Sequence, residues 1–163
     1  MSQAVTPIPE GFHTITPHLV IKGAAEAIEF YKRALGAEVR SKMTGPGGTI
    51  GHAELKIGDS IIFLADEFPQ SPFKSPQTLG STTTSFHIYV PDVDAAFKRA
   101  ISAGGREIMP VADMFWGDRF GQFTDPFGHN WSIATRKENV NPQELEKRAQ
   151  AFWQQMQAQK KTA

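Results

Sequence analysis

The sequence lacks cysteine, long apolar runs and an excess of charge of one sign, and each absence excludes a class of protein or site. It has no cysteine, which excludes disulfide bonds and thiolate metal sites. It has no run of eighteen apolar residues and no basic segment leading into an apolar one, so we expect neither a membrane span nor a secretion signal. It has no excess of charge, because 17 basic residues balance 17 acidic ones. We therefore expect a cytoplasmic protein that binds neither nucleic acid nor membrane.

The chain does contain an internal repeat. The segment HLVIKGAAEAIEFYKRALGAEV, from His18, aligns with HIYVPDVDAAFKRAISAGGREI, from His87. Roughly one or two identities would arise by chance in such a window. The alignment instead gives His18/His87, Ala27/Ala96, Ala34/Ala103, Gly36/Gly105 and Glu38/Glu107. We infer a duplication.

Each copy predicts the order β-α-β-β-β. A β-rich run (TPHLVI or SFHIYV) precedes a segment whose apolar residues have helical spacing. Strand-like segments follow at 37–44, 48–57 and 60–66 in the first copy and at 106–110, 118–125 and 129–135 in the second. The fold class is therefore α+β. Residues 67–82, rich in proline and serine, read as a linker between two modules at about 12–67 and 83–136.

The C-terminal region, 137–163, predicts an appended helix outside a single domain that spans 1–136. Asn141 is a suitable cap, Pro142 suits the first turn and Glu144 completes a capping box. One helical face carries Leu145, Ala149, Phe152, Trp153 and Met156. This apolar face needs a partner, and we favour the sheet of the same domain over a second subunit.

Strand alternation assigns side chains to a helix-facing side or a concave side. The first strand of each copy places His18 and Val20, or Ser85, His87 and Tyr89, on the concave side. The hairpins add Ile50, His52, Glu54, Ile62 and Leu64 in the first copy and Phe120, Gln122, Thr124, Ser132 and Ala134 in the second. Phe123, Phe127 and Trp131 are expected in the core.

The quoted segments, together with GHAELKIGDSIIFLADE and MFWGDRFGQFTDPFGHNWSIAT, resemble the vicinal oxygen chelate superfamily. This is the glyoxalase/bleomycin-resistance/dioxygenase fold, and the PhnB-like branch is the most similar. The resemblance covers roughly residues 12–136. It implies two modules whose curved mixed sheet forms a cup for a small molecule or a metal, often within a homodimer. Family activities include isomerases, lyases, dioxygenases and non-catalytic drug binders, so the fold alone does not decide whether the chain is an enzyme.

The metal ligands implied by the resemblance are incomplete in this sequence. The usual histidine positions fall on Thr16 and Ser85, and the carboxylate positions on Ile62 or Leu64 and Ser132 or Ala134. His18, His52, Glu54 and His87 could instead bind zinc, nickel, iron or manganese, or they could be polar side chains bonded to one another or to water. Glu54 is likewise a candidate general base or simply a paired carboxylate.

Trp116 is the aromatic residue that no strand or helix pattern requires. It could stack on a planar ligand at the mouth of the cup, plug one end of the sheet, or contact a second subunit. We expect the neighbouring Asp118 and Arg119 to form a local ion pair.

Three functions remain after these observations. The leading one is a cup that binds an apolar or aromatic small molecule through His18, His52, Glu54, His87, Tyr89, Trp116, Phe120 and Gln122. The alternatives are a metal-dependent lyase, isomerase or dioxygenase, and an interaction scaffold that uses the C-terminal helix.

Overall fold

The computed structural model describes residues 5–161, with side chains described for 5–159. The first half comprises β1 (His18–Ile21), α1 (Ala24–Leu35), β2 (Glu38–Thr44), β3 (Ile50–Ile57) and β4 (Ser60–Asp66). A short helix α2 (Pro76–Leu79) follows. The second half comprises β5 (Ser85–Tyr89), α3 (Val93–Ser102), β6 (Arg106–Asp113), β7 (Asp118–Thr124) and β8 (Asn130–Arg136). Helix α4 (Pro142–Lys161) ends the described chain.

The two halves repeat one topology, which confirms the predicted α+β class. Their sheets have the orders β1-β4-β3-β2 and β5-β8-β7-β6. The first strand of each half pairs in parallel with the last, and the other pairs are antiparallel. Among the described residues, no strand pairing joins one sheet to the other, so each sheet is open and has its own concave face.

Helix α1 is fixed at both ends by local chemistry. Gly36, at φ 67°, ends it in the left-handed conformation that glycine adopts without steric cost. At its start, Oδ1 of Asp66 accepts hydrogen bonds from the backbone N–H groups of Gly23 and Ala24. Oδ2 of the same carboxylate accepts the N–H of Ile50. Asp66 therefore caps α1 from the end of β4, which gives this carboxylate a structural role.

The halves share one hydrophobic core between the two sheets, where α1 packs against α3. Phe123, Phe127 and Trp131 are all buried there, as predicted. Asp125, itself buried, joins the halves because its carboxylate accepts hydrogen bonds from Tyr31 of α1 and from the Trp131 indole. It also accepts the N–H groups of Phe127 and His129, so one side chain holds the second hairpin turn against the first half.

The register corrects part of the predicted concave face. Leu64 pairs with Leu19 and with Ala53 on the core side, so it and Ile62 do not lie on the concave face, and Phe63 does. The prediction failed because it matched the two hairpins residue for residue, as if their turns were equally long. The first has a two-residue turn between Ile57 and Ser60, whereas the second has three residues between Asp125 and His129.

Ile50 is also misassigned by simple alternation. It is 1% exposed and belongs to the core, although His52, two residues later, is half-buried on the concave face. The pairing of β2 with β3 shifts between Met43 and Thr44, so Gly51 is an extra residue in the ladder. Such a bulge reverses the alternation, and this turns Ile50 inward.

The predicted linker is ordered by Glu67. Its carboxylate accepts hydrogen bonds from the N–H of Ser75 and the hydroxyl of Thr78, and these bonds tie the segment to α2. Hydrogen bonds from Ser75, followed by Thr78, lower the pKa of Glu67 to about 2 from the ordinary 4.5. Ionised Glu67 therefore stabilises the folded chain above pH 4.5, and this contribution is lost as the pH falls from 4.5 towards 2.

We expect Glu67→Gln to flatten the acid side of the pH–stability curve. The wild-type chain should lose more of its free energy of unfolding between pH 5 and pH 2 than the variant does, because the glutamine cannot be protonated. Urea unfolding at several pH values measures this difference. Glu29→Gln, an exposed glutamate on α1, is the control. Parallel curves for Glu67→Gln and wild type would contradict the expectation.

Helix α4 begins as predicted but packs differently. Asn141 accepts the N–H of Glu144, whose carboxylate accepts a hydrogen bond from Arg148. The helix contacts the segment between β6 and β7 rather than a sheet face, through a ring contact of 5.0 Å between Phe115 and Phe152. Trp153 is 59% exposed, so the far part of the apolar stripe is uncovered. None of the helices within 5–161 has the length and apolarity needed to cross a bilayer.

Candidate functional site

The concave face of the second sheet carries four aromatic rings in consecutive contact. The ring of Tyr89 meets that of His87 at 4.7 Å, and His87 stacks on Phe120 at 5.9 Å. Phe120 in turn meets Trp116 at 5.6 Å in an edge-to-face arrangement. We call His87, Tyr89, Trp116 and Phe120 the aromatic set. The register places Gln122 on the same face, opposite Ser132 of β8.

A carboxylate closes the circuit of rings. Oδ2 of Asp118 accepts hydrogen bonds from the Tyr89 hydroxyl at 2.9 Å and from the Trp116 indole at 3.2 Å. The first bond, with a smaller contribution from desolvation, raises the pKa of Tyr89, so the phenol stays protonated near neutral pH. Asp118 therefore fixes both rings at the edge of the face.

The predicted ion pair between Asp118 and Arg119 is wrong. Arg119 bonds to Asp94 of α3 and to Asp113 of β6, whereas Asp118 is 3% exposed and faces the aromatic set. Neighbouring residues on a strand project to opposite faces, which is why these two side chains diverge. The same alternation, applied to β7, would have placed Asp118 beside Phe120.

Trp116 is held by the segment that follows β8. The carbonyl oxygen of Gly117 accepts the N–H groups of Lys137 and Glu138. A Cβ at Gly117 would lie 2.6 Å from the Glu138 carbonyl oxygen, so the approach depends on glycine. Arg148 of α4 then reaches the carbonyl of Phe115 and forms an ion pair with Glu138. Helix α4 thus contributes to the position of the 114–117 loop.

His87 has a fixed orientation within the set. Its Nδ1 lies 2.8 Å from the hydroxyl of Ser132, which also contacts the carbonyl of Phe86 at 3.4 Å. Ser132 occupies one of the two β8 positions at which the family resemblance implied a carboxylate. In this chain that residue orients an imidazole ring instead.

The other predicted residues lie on the first sheet. The rings of His18 and His52 are 6.5 Å apart, and Nε2 of His52 lies 3.8 Å from Oε1 of Glu54. Phe63 contacts both imidazoles, and Phe12 covers Phe63 at 5.7 Å. Partial burial, and then the charge of His52, lower the pKa of His18, which favours its neutral form.

The structure does not bring the four candidate metal ligands together. His87 belongs to the second sheet, and Phe63 lies against His18 and His52 where a shared ion would need polar donors. Among residues 5–159, no three histidine, aspartate or glutamate side chains are placed to hold one ion. The candidate ligands are therefore divided between the sheets. His18, His52 and Glu54 lie on the first sheet, and His87, bonded to the Ser132 hydroxyl, lies on the second.

A cleft of about 770 Å³ opens beside the aromatic set. It lies between the β3–β4 turn and β5, and His87 and Tyr89 border both the cleft and the aromatic face. Its remaining walls are mainly apolar, including Ile57, Ile62 and Phe86. The volume of the cleft lies within the range of small-molecule sites. The polar group on which two side chains converge, Asp118, lies outside the cleft, on the aromatic face.

Comparison with known proteins decides the family. The sequence profile of the Glyoxalase/Bleomycin resistance protein/Dioxygenase superfamily matches residues 11–133. The chain belongs to this superfamily. A superfamily profile that covers both modules agrees with the repeated topology of the two sheets.

Individual relatives support the same membership of the glyoxalase/bleomycin-resistance superfamily. A Mycobacterium tuberculosis protein is 40% identical over 135 residues, which are 81% of this chain and 79% of that protein. The crystal structure of TioX from Micromonospora sp. ML1 superposes with a TM-score of 0.60 at 25% identity, covering 79% of this chain and all of TioX. The PhnB protein from Bacillus cereus gives 0.61 at 21% identity over 76% of this chain and 99% of its own, and shows the shared fold.

Proposed function

We propose that the chain binds a small apolar or aromatic molecule on the concave face of the second sheet, with the aromatic set as the binding surface. The observation that carries the proposal is the continuous series of four rings, in which Asp118 holds the two end members, Tyr89 and Trp116, and Ser132 holds His87. Rings that are oriented before a ligand arrives lose little conformational entropy on binding, which favours affinity.

The exposure of the rings supports a role in binding rather than in packing. Tyr89 is 60% exposed, although its hydroxyl is held by a buried carboxylate. Trp116 and Phe120 are half-buried on the same open face. Core aromatics in this chain, such as Trp131 at 2%, are enclosed by the helices. Rings that are orientationally fixed yet open offer faces on which a planar ligand can stack.

The proposed setting is a homodimer in the cytoplasm, of which the family resemblance implies the homodimer. Each sheet is open, and its concave face lies away from the shared core. A second copy could therefore complete the cup around a ligand that lies on the aromatic set. In this setting the adjoining cleft beside His87 and Tyr89 would accommodate the part of the ligand that extends past β5.

We expect Trp116→Ala to weaken binding at least tenfold, which corresponds to about 1.4 kcal/mol, because a stacking surface is removed. A panel of aromatic metabolites and drugs would first be screened by calorimetry against the full chain. Every ligand found would then be titrated into the variant. The matched control is Trp153→Ala, which removes an exposed tryptophan from α4.

Two results would contradict the proposed function. The first is a panel in which no compound binds the wild-type chain. The second is a set of ligands that bind Trp116→Ala as tightly as wild type while the variant retains a native circular dichroism spectrum. Loss of affinity in Trp153→Ala alone would place the ligand on α4 instead of on the sheet.

A further inference from the structure

One oxygen of the Asp118 carboxylate lacks a hydrogen-bond partner within residues 5–159. Oδ2 is saturated by Tyr89 and Trp116, but Oδ1 is buried and accepts no hydrogen bond among the described residues. Buried carboxylate oxygens are ordinarily hydrogen-bonded, because desolvation without a partner is costly. The core carboxylate of Asp125 illustrates the usual case, since four donors from its surroundings satisfy it.

The cation nearest to Oδ1 is a weak partner. Nε of Arg136 lies 3.8 Å away, beyond hydrogen-bonding distance, and the Arg136 side chain is 64% exposed. Because the arginine is exposed and lies beyond hydrogen-bonding distance, it can be displaced from the buried carboxylate without the loss of a hydrogen bond. The other arginine close to Asp118 in sequence, Arg119, is engaged by Asp94 and Asp113.

Aromatic rings lie beside the same carboxylate. Trp116 and Tyr89 border the carboxylate through their bonds to Oδ2, and Phe120 adjoins Trp116. The π-faces of tryptophan, tyrosine and phenylalanine attract cations, and a carboxylate at the base of such rings adds a direct charge partner. Ring faces and an unpartnered buried acceptor are independent features, and both favour a positively charged group that can donate hydrogen bonds.

We propose that the site selects aromatic or apolar molecules that carry a protonated amine, whose ammonium group bonds to Oδ1 of Asp118 in place of Arg136. The proposal rests on the proposed function and narrows its ligand class to organic cations. The apolar body of the ligand lies over Trp116 and Phe120, and its ammonium group points to the end of the β7–β8 ladder, where Asp118 and Arg136 pair.

Three probes with one aromatic body and different charges test the proposal. Tryptamine carries an ammonium group, 3-ethylindole is neutral and indole-3-propionate carries a carboxylate. Titrated into the full chain by calorimetry at pH 7, tryptamine should bind at least tenfold more tightly than either of the other two. In Asp118→Asn, which keeps the size of the side chain, this preference should fall to within about twofold.

Arg136→Gln separates the cation proposal from recognition of an anion. If Oδ1 receives an ammonium group, removing the competing guanidinium should leave tryptamine affinity unchanged or increase it. If Arg136 is the real anchor, indole-3-propionate should bind best to the wild-type chain and lose affinity in this variant. The second pattern would overturn the proposal.

Further outcomes distinguish this inference from the proposed function. Equal affinity for the three probes, or no binding of any of them while uncharged panel compounds do bind, would overturn the amine preference and leave the aromatic site intact. A retained tryptamine preference in Asp118→Asn would also overturn it. Failure of the whole aromatic panel would remove both proposals. Urea unfolding of Asp118→Asn verifies that altered binding reflects the site and not loss of the fold.

Discussion

Replacing Asp125 by alanine is expected to lower the free energy of unfolding by about 3–5 kcal/mol. Four donors lose their acceptor in this variant: the Tyr31 hydroxyl, the Trp131 indole N–H and the backbone N–H groups of Phe127 and His129. All four lie around a carboxylate that is only 4% exposed, so water does not readily replace it. Because Tyr31 belongs to the first half, the loss also weakens the contact between the halves.

Urea unfolding followed by circular dichroism measures this effect. The control is Asp59→Ala in the corresponding turn of the first hairpin, where the carboxylate accepts a hydrogen bond from the hydroxyl of the adjacent Ser60 in an exposed position. We expect that variant to change stability by less than about 0.5 kcal/mol. A similar small change in Asp125→Ala would show that the buried network does not contribute to stability as its geometry indicates.

Replacing Gly117 by alanine is expected to destabilise the chain by about 3 kcal/mol and to weaken binding of aromatic ligands more than tenfold. Gly117 has φ 98°, and an added Cβ would meet the Glu138 carbonyl oxygen at 2.6 Å and the Val140 side chain at 2.9 Å. The loop can relieve these contacts only by moving away from the segment that follows β8. That movement displaces Trp116, the adjoining residue.

Gly48→Ala is a matched control for Gly117→Ala. Gly48 also has a positive φ, of 84°, but a Cβ added there would meet nothing within 4 Å, so this variant reports the backbone strain alone. The difference between the two variants isolates the steric clash at the 114–117 loop. If both variants lost equal stability and bound aromatic ligands equally, the close approach at Gly117 would have no role in positioning Trp116.

Most of the fold was accessible from the sequence because it rests on local periodicity repeated twice. The β-α-β-β-β order follows from the change between strand and helix periodicity in each copy. The core positions of Phe123 and Trp131 and the concave positions of Phe120 and Gln122 follow from alternation along β7 and β8, which lack bulges. The assignment failed where the ladder changes register. The bulge at Gly51 moved Ile50 into the core, and the unequal turns moved Phe63 rather than Leu64 onto the concave face.

The candidate site was only partly accessible, because its members meet through the sheet and not along the chain. Tyr89, Trp116, Phe120 and His87 were expected on one surface, and the structure brings them into contact. Asp118 was missed since an adjacent Asp–Arg pair reads as a local ion pair. The grouping of His87 with His18 and His52 assumed a single cup, whereas the described chain has two separate sheets.

The unequal hairpin turns have an evolutionary consequence. A residue inserted within β8 would turn every later side chain over, but one inserted in the turn leaves all strand pairs in register. Descendants of a duplicated module can therefore differ in length at their turns while each retains its inward and outward sets of residues. The two concave faces of this chain carry different chemistry within that shared register, imidazoles around Phe63 on one and aromatic rings beside a carboxylate on the other.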